Sequence, residues 1–197
     1  MGQLRLVLRR AGTQDHGAVS GLRAEAEDWL RTMSTDQWAE PWPNEDGLEQ
    51  RIRDAIRAAR TWIAWDGAVP VATITASPNH HEIWPEENRR DPAVYVRRLV
   101  VSRDRRYAGH GLGAQLLDWA GLRANREYGA RWVRVDVWTT NTKLHKYYQN
   151  QGFEFCGFCE WIADYPSAAL FQKPIDEIKP LEDPLFREAK DLRAPGR

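Results

Sequence analysis

Leu99-Val-Val-Ser-Arg-Asp-Arg-Arg-Tyr-Ala-Gly-His-Gly-Leu-Gly-Ala-Gln-Leu-Leu117 changes character twice in a short span. An apolar β-branched run gives way to a basic turn. The turn then meets Gly109, Gly111 and Gly113, where a helix begins. Glycines at alternate positions let the main chain adopt conformations closed to other residues and approach a ligand closely. The first amides of a helix have no intrahelical partner, and the helix dipole adds positive potential there. Strand, glycines and helix start therefore make an anion site suited to a pyrophosphate. Arg103, Arg105, Arg106 and His110 add positive charge at the same mouth, suited to a further phosphate. Packing alone does not explain three such glycines beside three arginines.

Upstream, residues 4–9 read as a strand, and Thr13 or Asp15 caps a helix carrying Val19, Leu22, Ala26, Trp29, Leu30 and Met33. Pro41, Pro43 and Gly47 mark a loop, and Leu48, Ile52, Ile56 and Ala59 a second helix ending near Arg60. Residues 61–65 and 69–76 form a hairpin about Asp66-Gly67. Residues 77–93 form a long polar loop, a functional candidate by its length. A strand spans 94–101. Downstream lie a helix over 112–128, a strand over 132–138, a helix over 141–151 and strands over 153–161 and 168–172. Because strands and helices alternate only in part, the expectation is an α/β domain over 1–173. Its mixed sheet would have about six to seven strands and helices on both faces. Residues 174–197 are charged and proline-bearing without apolar periodicity, and read as a polar tail that docks or is disordered.

The 28 basic and 28 acidic side chains cancel, so bulk charge points to neither nucleic acid nor an anionic membrane. The N-terminus has no signal-peptide h-region, and no stretch approaches the roughly 20 apolar residues of a membrane span. A cytoplasmic location is the default expectation. Cys156 and Cys159 form a C-x-x-C pair inside a strand-like run, with no second pair for zinc and no helix start for a redox couple. They read as ordinary thiols, and no metal site is expected.

Two nucleotide-site alternatives fit poorly. A P-loop requires Lys-Ser or Lys-Thr after the glycines, and neither is present. A dinucleotide site requires G-x-G-x-x-G directly after its strand. Here the spacing is G-x-G-x-G and the strand ends several basic residues earlier, although Asp136 on the next strand is a partial match.

Ala108-Gly109-His110-Gly111-Leu112-Gly113 resembles the [Q/R]-x-x-G-x-[G/A] acyl-CoA motif of the GCN5-related N-acetyltransferase (GNAT) family, with Ala108 replacing the usual first residue. Arg106 is placed to supply the missing charge. Val135-Asp-Val-Trp-Thr-Thr-Asn141 and Leu144-His-Lys-Tyr-Tyr148-Gln-Asn-Gln-Gly152-Phe153 resemble the family's strand, Asn, helix and Tyr-x-x-x-Gly-Phe ending. The resemblance is specific over about residues 94–155 and general over 1–173.

It implies a GNAT fold and acetyl-CoA-dependent transfer to a primary amine of a small molecule, with a protein amine as the variant. The alternatives are a non-catalytic acyl-CoA-binding sensor of the same fold and, disfavoured by the glycine spacing, a dinucleotide-dependent oxidoreductase. Main-chain groups of Leu99 and Val101 would take the pantetheine arm, and the amide of Val100 or Val101 would lie near the acetyl carbonyl. Amides of Gly109, His110, Gly111, Leu112, Gly113 and Ala114 would hold the pyrophosphate, and Asn141 would touch the arm. Tyr148 would protonate the departing thiolate. A phenol of pKa about 10 matches a thiol well. Tyr147 would face elsewhere. Base candidates are Glu25, Glu27, Asp28, His80, His81 or water. Trp29, Trp38, Trp42 and Trp84, with Glu25, Glu27, Asp28, Glu40, Glu45 and Asp46, would suit a cationic amine with an aromatic or apolar part. Dimers are common in the family, so a homodimer stays open.

Overall fold

The computed structural model describes residues 5–78, 82–162, 165–180 and 182–189. One sheet runs through it in the order β6-β7-β5-β4-β3-β2-β1-β8. The strands are β1 (Leu6–Arg10), β2 (Thr61–Asp66), β3 (Val69–Ser77), β4 (Ala93–Val101), β5 (Trp132–Val137), β6 (Glu154–Phe158), β7 (Ala169–Pro174) and β8 (Phe186–Glu188). The helices are α1 (His16–Arg31), α2 (Glu45–Arg57), the single turn α3 (Glu86–Arg89), α4 (Leu112–Tyr128) and α5 (Thr142–Asn150). The sheet is mixed: β4 with β5 and β1 with β8 are parallel, and the other pairs antiparallel.

Helices cover both faces. Leu112, Leu116, Leu117, Ala120 and Ala124 of α4 bury against Val94, Val96, Val133 and Val135. On the opposite face Val19 of α1 meets Ile52 and Ile56 of α2 over Ile63, and Leu22 and Ala26 meet Val100. Local chemistry sets several boundaries. The Asn44 side chain caps α2 by accepting from the Gly47 amide at 2.8 Å, so that helix begins earlier than Leu48. Gly67, at φ 58°, turns the β2–β3 hairpin.

The eighth strand corrects the expected six to seven. It comes from the segment read as tail. Leu6 N donates to Leu185 O and Ala189 N to Leu8 O, both over 2.8–2.9 Å, while Phe186 packs edge-on against Trp119. Glu188 accepts from Trp119 Nε1 at 2.9 Å and pairs with Arg123. A three-residue strand whose middle and last residues are charged leaves no periodicity to read. The C-x-x-C pair consists of free thiols, Cys156 in β6 and Cys159 just beyond it. Burial pushes the Cys156 thiol up to about 11, the opposite of a redox-active cysteine.

Gly121 lets α4 approach the sheet. A Cβ there would lie 2.6 Å from Val133 Cγ2 and 2.9 Å from Ile178 Cδ1. Gly121→Val is expected to destabilise the fold by about 1–3 kcal/mol through overpacking. Thermal melting checks this; an unchanged Tm would show that the helix has room to spare.

Candidate active site

β4 and β5 pair only from Ala93↔Trp132 to Val96↔Val135, yet β4 continues to Val101. The two strands therefore part, and a cleft of about 770 Å³ opens between them. The departure coincides with an irregularity in the β3–β4 register, between Thr73↔Val100 and Thr75↔Arg97. Arg98 there takes φ 49°, as an extra residue in a bulge does. Beyond it, Ser102 N donates to Val71 O at 2.8 Å. By strand alternation the main-chain groups of Ser102 and Val100 face β3, and those of Leu99 and Val101 face the gap.

The glycine turn closes one end of the cleft. Gly109 and Gly111 have φ 80° and 79°, and Gly111 is the N-cap of α4. A Cβ at either would meet nothing within 4 Å, so both are glycine for their backbone conformation. None of the amides from Gly109 to Ala114 donates a hydrogen bond among the described residues. Leu99, Val100, Val101, Gly109, Gly111, Leu112, Gly113 and Asn141 line the cleft; Arg106, His110 and Ala114 do not. Arg106 is turned to solvent and bound to Asp104 at 2.9 Å. Arg103 does line the cleft, its guanidinium 4.0 Å from the Trp29 ring. Asn141 also anchors its own helix. Its Oδ1 accepts from Leu144 N at 3.0 Å and caps α5, and its Nδ2 donates to Gln37 at 2.6 Å.

Tyr148 and Tyr147 both line the cleft. Tyr148 is buried edge-on to Phe153 and stacked on Phe171, with centroids at 5.3 and 6.2 Å. Burial raises its phenol well above the ordinary tyrosine value. Tyr147 does not face elsewhere. Its hydroxyl lies 3.0 Å from the position a Cβ on Gly113 would take, against the start of α4.

The carboxylates expected as bases are engaged in other contacts. Glu25 accepts from Ser102 Oγ at 2.9 Å and Arg103 N at 2.5 Å, Glu27 pairs with Arg23 at 2.7 Å, and Asp28 pairs with Arg31. None of the three lines the cleft. His80 and His81 lie outside the described residues. Trp29, Trp38 and Trp42 line the cleft, but Trp84 is fully buried elsewhere, 5.2 Å above the Arg134 guanidinium and edge-on to Tyr95. Of the six acidic residues grouped with those tryptophans, only Glu40 reaches the cleft wall. Instead Arg23, Arg51, Arg97 and Arg98 converge there. Arg97 and Arg98 were not among the expected site residues. Two consecutive charges inside an apolar strand were the available signal of a bulge.

A strand, a glycine turn and a helix start with undonated amides, beside two parted parallel strands, make up a cleft fitted to an anion. The sequence profile described as the acetyltransferase (GNAT) family matches residues 23–153, and the chain belongs to that family. It is thereby an enzyme of the N-acetyltransferase class. It is similar to "Uncharacterized N-acetyltransferase YesJ" of Bacillus subtilis (strain 168), 28% identical over 166 residues, covering 82% of this chain and 86% of that one. Among solved structures, a GNAT-family acetyltransferase of Listeria monocytogenes superposes with TM-score 0.66 at 22% identity, covering 86% of this chain and 94% of that one. The PaiA N-acetyltransferase of Thermoplasma acidophilum, in complex with coenzyme A, superposes with TM-score 0.62 at 15% identity, covering 86% and 98%. These two likenesses speak for the fold. Among the described residues no helix is long and apolar enough to cross a membrane.

Proposed function

We propose that this chain transfers an acetyl group from acetyl-CoA to a primary amine of a small molecule by direct attack, with Tyr148 as general acid. The observation that carries the proposal is the run of undonated amides from Gly109 to Ala114 at the end of the strand gap. Those amides fit a diphosphate, and the unpaired edge of β4 fits an amide-bearing arm. The coenzyme A complex of the PaiA protein, a relative in fold, supports the choice of ligand.

Acetyl-CoA supplies the acetyl group activated as a thioester. Leu99 and Val101 hold the pantetheine arm through main-chain groups facing the gap, as an added strand does. The amide of Val101 faces the gap and polarises the carbonyl, whereas that of Val100 is turned to β3. Arg103 brings positive charge to the mouth for the outer phosphates. Asn141 fixes the start of α5, and α5 carries Tyr148 to the cleft. As the nitrogen–carbonyl bond forms and the carbon–sulfur bond breaks, the Tyr148 hydroxyl gives its proton to the sulfur. Glu25, Glu27 and Asp28 are held in other contacts, and the amine's proton leaves through water.

Thermal melting with acetyl-CoA, NADH or buffer alone tests the cofactor. Acetyl-CoA at 100 times its Kd is expected to stabilise by about 2.7 kcal/mol. For a chain of this size that is about 5–10 °C in Tm. NADH should give no shift; equal shifts from both would count against the proposal. Free-thiol release with a panel of amines tests the transfer. Binding without thiol release for every amine would favour the acyl-CoA sensor.

A further inference from the structure

We propose that the acceptor amine also carries a carboxylate, held in the cleft between the guanidinium groups of Arg98 and Arg51. The inference deepens the proposed function and rests on it.

Arg98 is half-buried in the cleft wall, at the bulge where β4 leaves β5. Among the described residues its side chain makes no ion pair and no hydrogen bond. The charges that reach it are mostly of its own sign: Arg97, Arg23 and Arg51 oppose it, and only Asp136 attracts it. Both oxygens of Asp136 are taken, one by Arg97 Nε at 3.2 Å and the other by the Tyr165 hydroxyl at 2.8 Å. Arg23 is partly neutralised by Glu27. Arg51, exposed on α2, has no carboxylate partner among the described residues. Two guanidinium groups thus face one cavity without counter-ions. A charge withdrawn from water without a partner is costly, and an anion that completes the set offsets that cost.

The aromatic walls argue the same way. A cationic acceptor needs a free ring face. Here one of the protein's own cations already lies over a face of each ring, Arg23 at 4.2 Å from Trp38 and Arg51 at 4.4 Å from Trp42. The surplus of positive charge also favours the uncharged form of an incoming ammonium group, which is the nucleophilic form. A carboxylate elsewhere on the same molecule supplies the attraction that the amine then lacks.

The test uses matched pairs titrated calorimetrically into the full-length protein saturated with CoA: L-phenylalanine against phenethylamine, L-leucine against isoamylamine. The carboxylated member of at least one pair is expected to bind about 10–100-fold more tightly, the equivalent of one or two charge-assisted hydrogen bonds. In Arg98→Gln that preference should fall to about threefold or less, with acetyl-CoA affinity as the check on folding. Should Arg98→Gln fail to fold, Arg51→Gln at its exposed position carries the comparison and should narrow the preference. Equal binding within both pairs, tighter binding of the decarboxylated members, or no binding of either amino acid would overturn the inference. Thiol release with decarboxylated amines alone would overturn it too while leaving the transferase reading intact. Failure of acetyl-CoA to bind would remove that parent reading instead.

Discussion

Tyr148→Phe is expected to lower kcat by about 10²–10⁴-fold, the usual effect of losing a positioned general acid. Affinity for acetyl-CoA should hold. The substitution removes one oxygen and keeps the ring against Phe153 and Phe171, so the fold should survive. Because burial raises the phenol's pKa, the group stays protonated through neutral and moderately alkaline pH. The defect should therefore be independent of pH up to about 10, the ordinary tyrosine value. The sign for stability follows from the same shift. The contribution of neutral buried Tyr148 is complete below the unfolded pKa and is lost as pH rises through the higher folded value. Tyr147→Phe is the control, because its hydroxyl lies at the start of α4 and not among the packed rings. Steady-state rates of both variants separate the two tyrosines. A large loss in Tyr147→Phe with a normal rate in Tyr148→Phe would move the acid to the neighbouring residue.

The second large effect concerns the glycine turn. Gly111→Asp is expected to weaken acetyl-CoA binding by at least about 100-fold, because it sets a carboxylate where the diphosphate should lie. Asp tolerates a left-handed backbone better than most residues and is a good N-cap, so α4 should still form. Gly111→Asn has nearly the same shape without the charge and should lose far less. Calorimetric titration of both variants checks the pair. Equal losses would make backbone geometry the cause; no loss in either would take the diphosphate away from this turn.

The local parts of this protein were legible in the sequence. The glycine turn was readable because positive φ at Gly109 and Gly111 and the free amides at a helix start are properties of adjacent residues. The ending of α5 was readable for a similar reason, since Gly152 takes φ 83° just after the helix. The acceptor side was read in part only. Trp29, Trp38 and Trp42 do reach the cleft, but Trp84 turns into a separate core with Tyr95 and Cys159. The acidic residues expected beside them were mostly solvated or tied to arginines of their own helices, as Asp28 is to Arg31 and Glu27 to Arg23.

The glycine turn, the amphipathic faces of α1, α2 and α4, and the hairpin at Asp66-Gly67 follow from the order of amino acids. Each depends on conformational preference or periodicity within a few residues. Only the folded chain settles the parting of β4 from β5, the bulge that places Arg98, the placing of Arg51 and Arg98 on one cleft, and the pairing of β8 with β1. Those features depend on which distant strands share hydrogen bonds and in what register. The energy that settles register comes from burying one whole face of the sheet, and no short window of sequence carries that information.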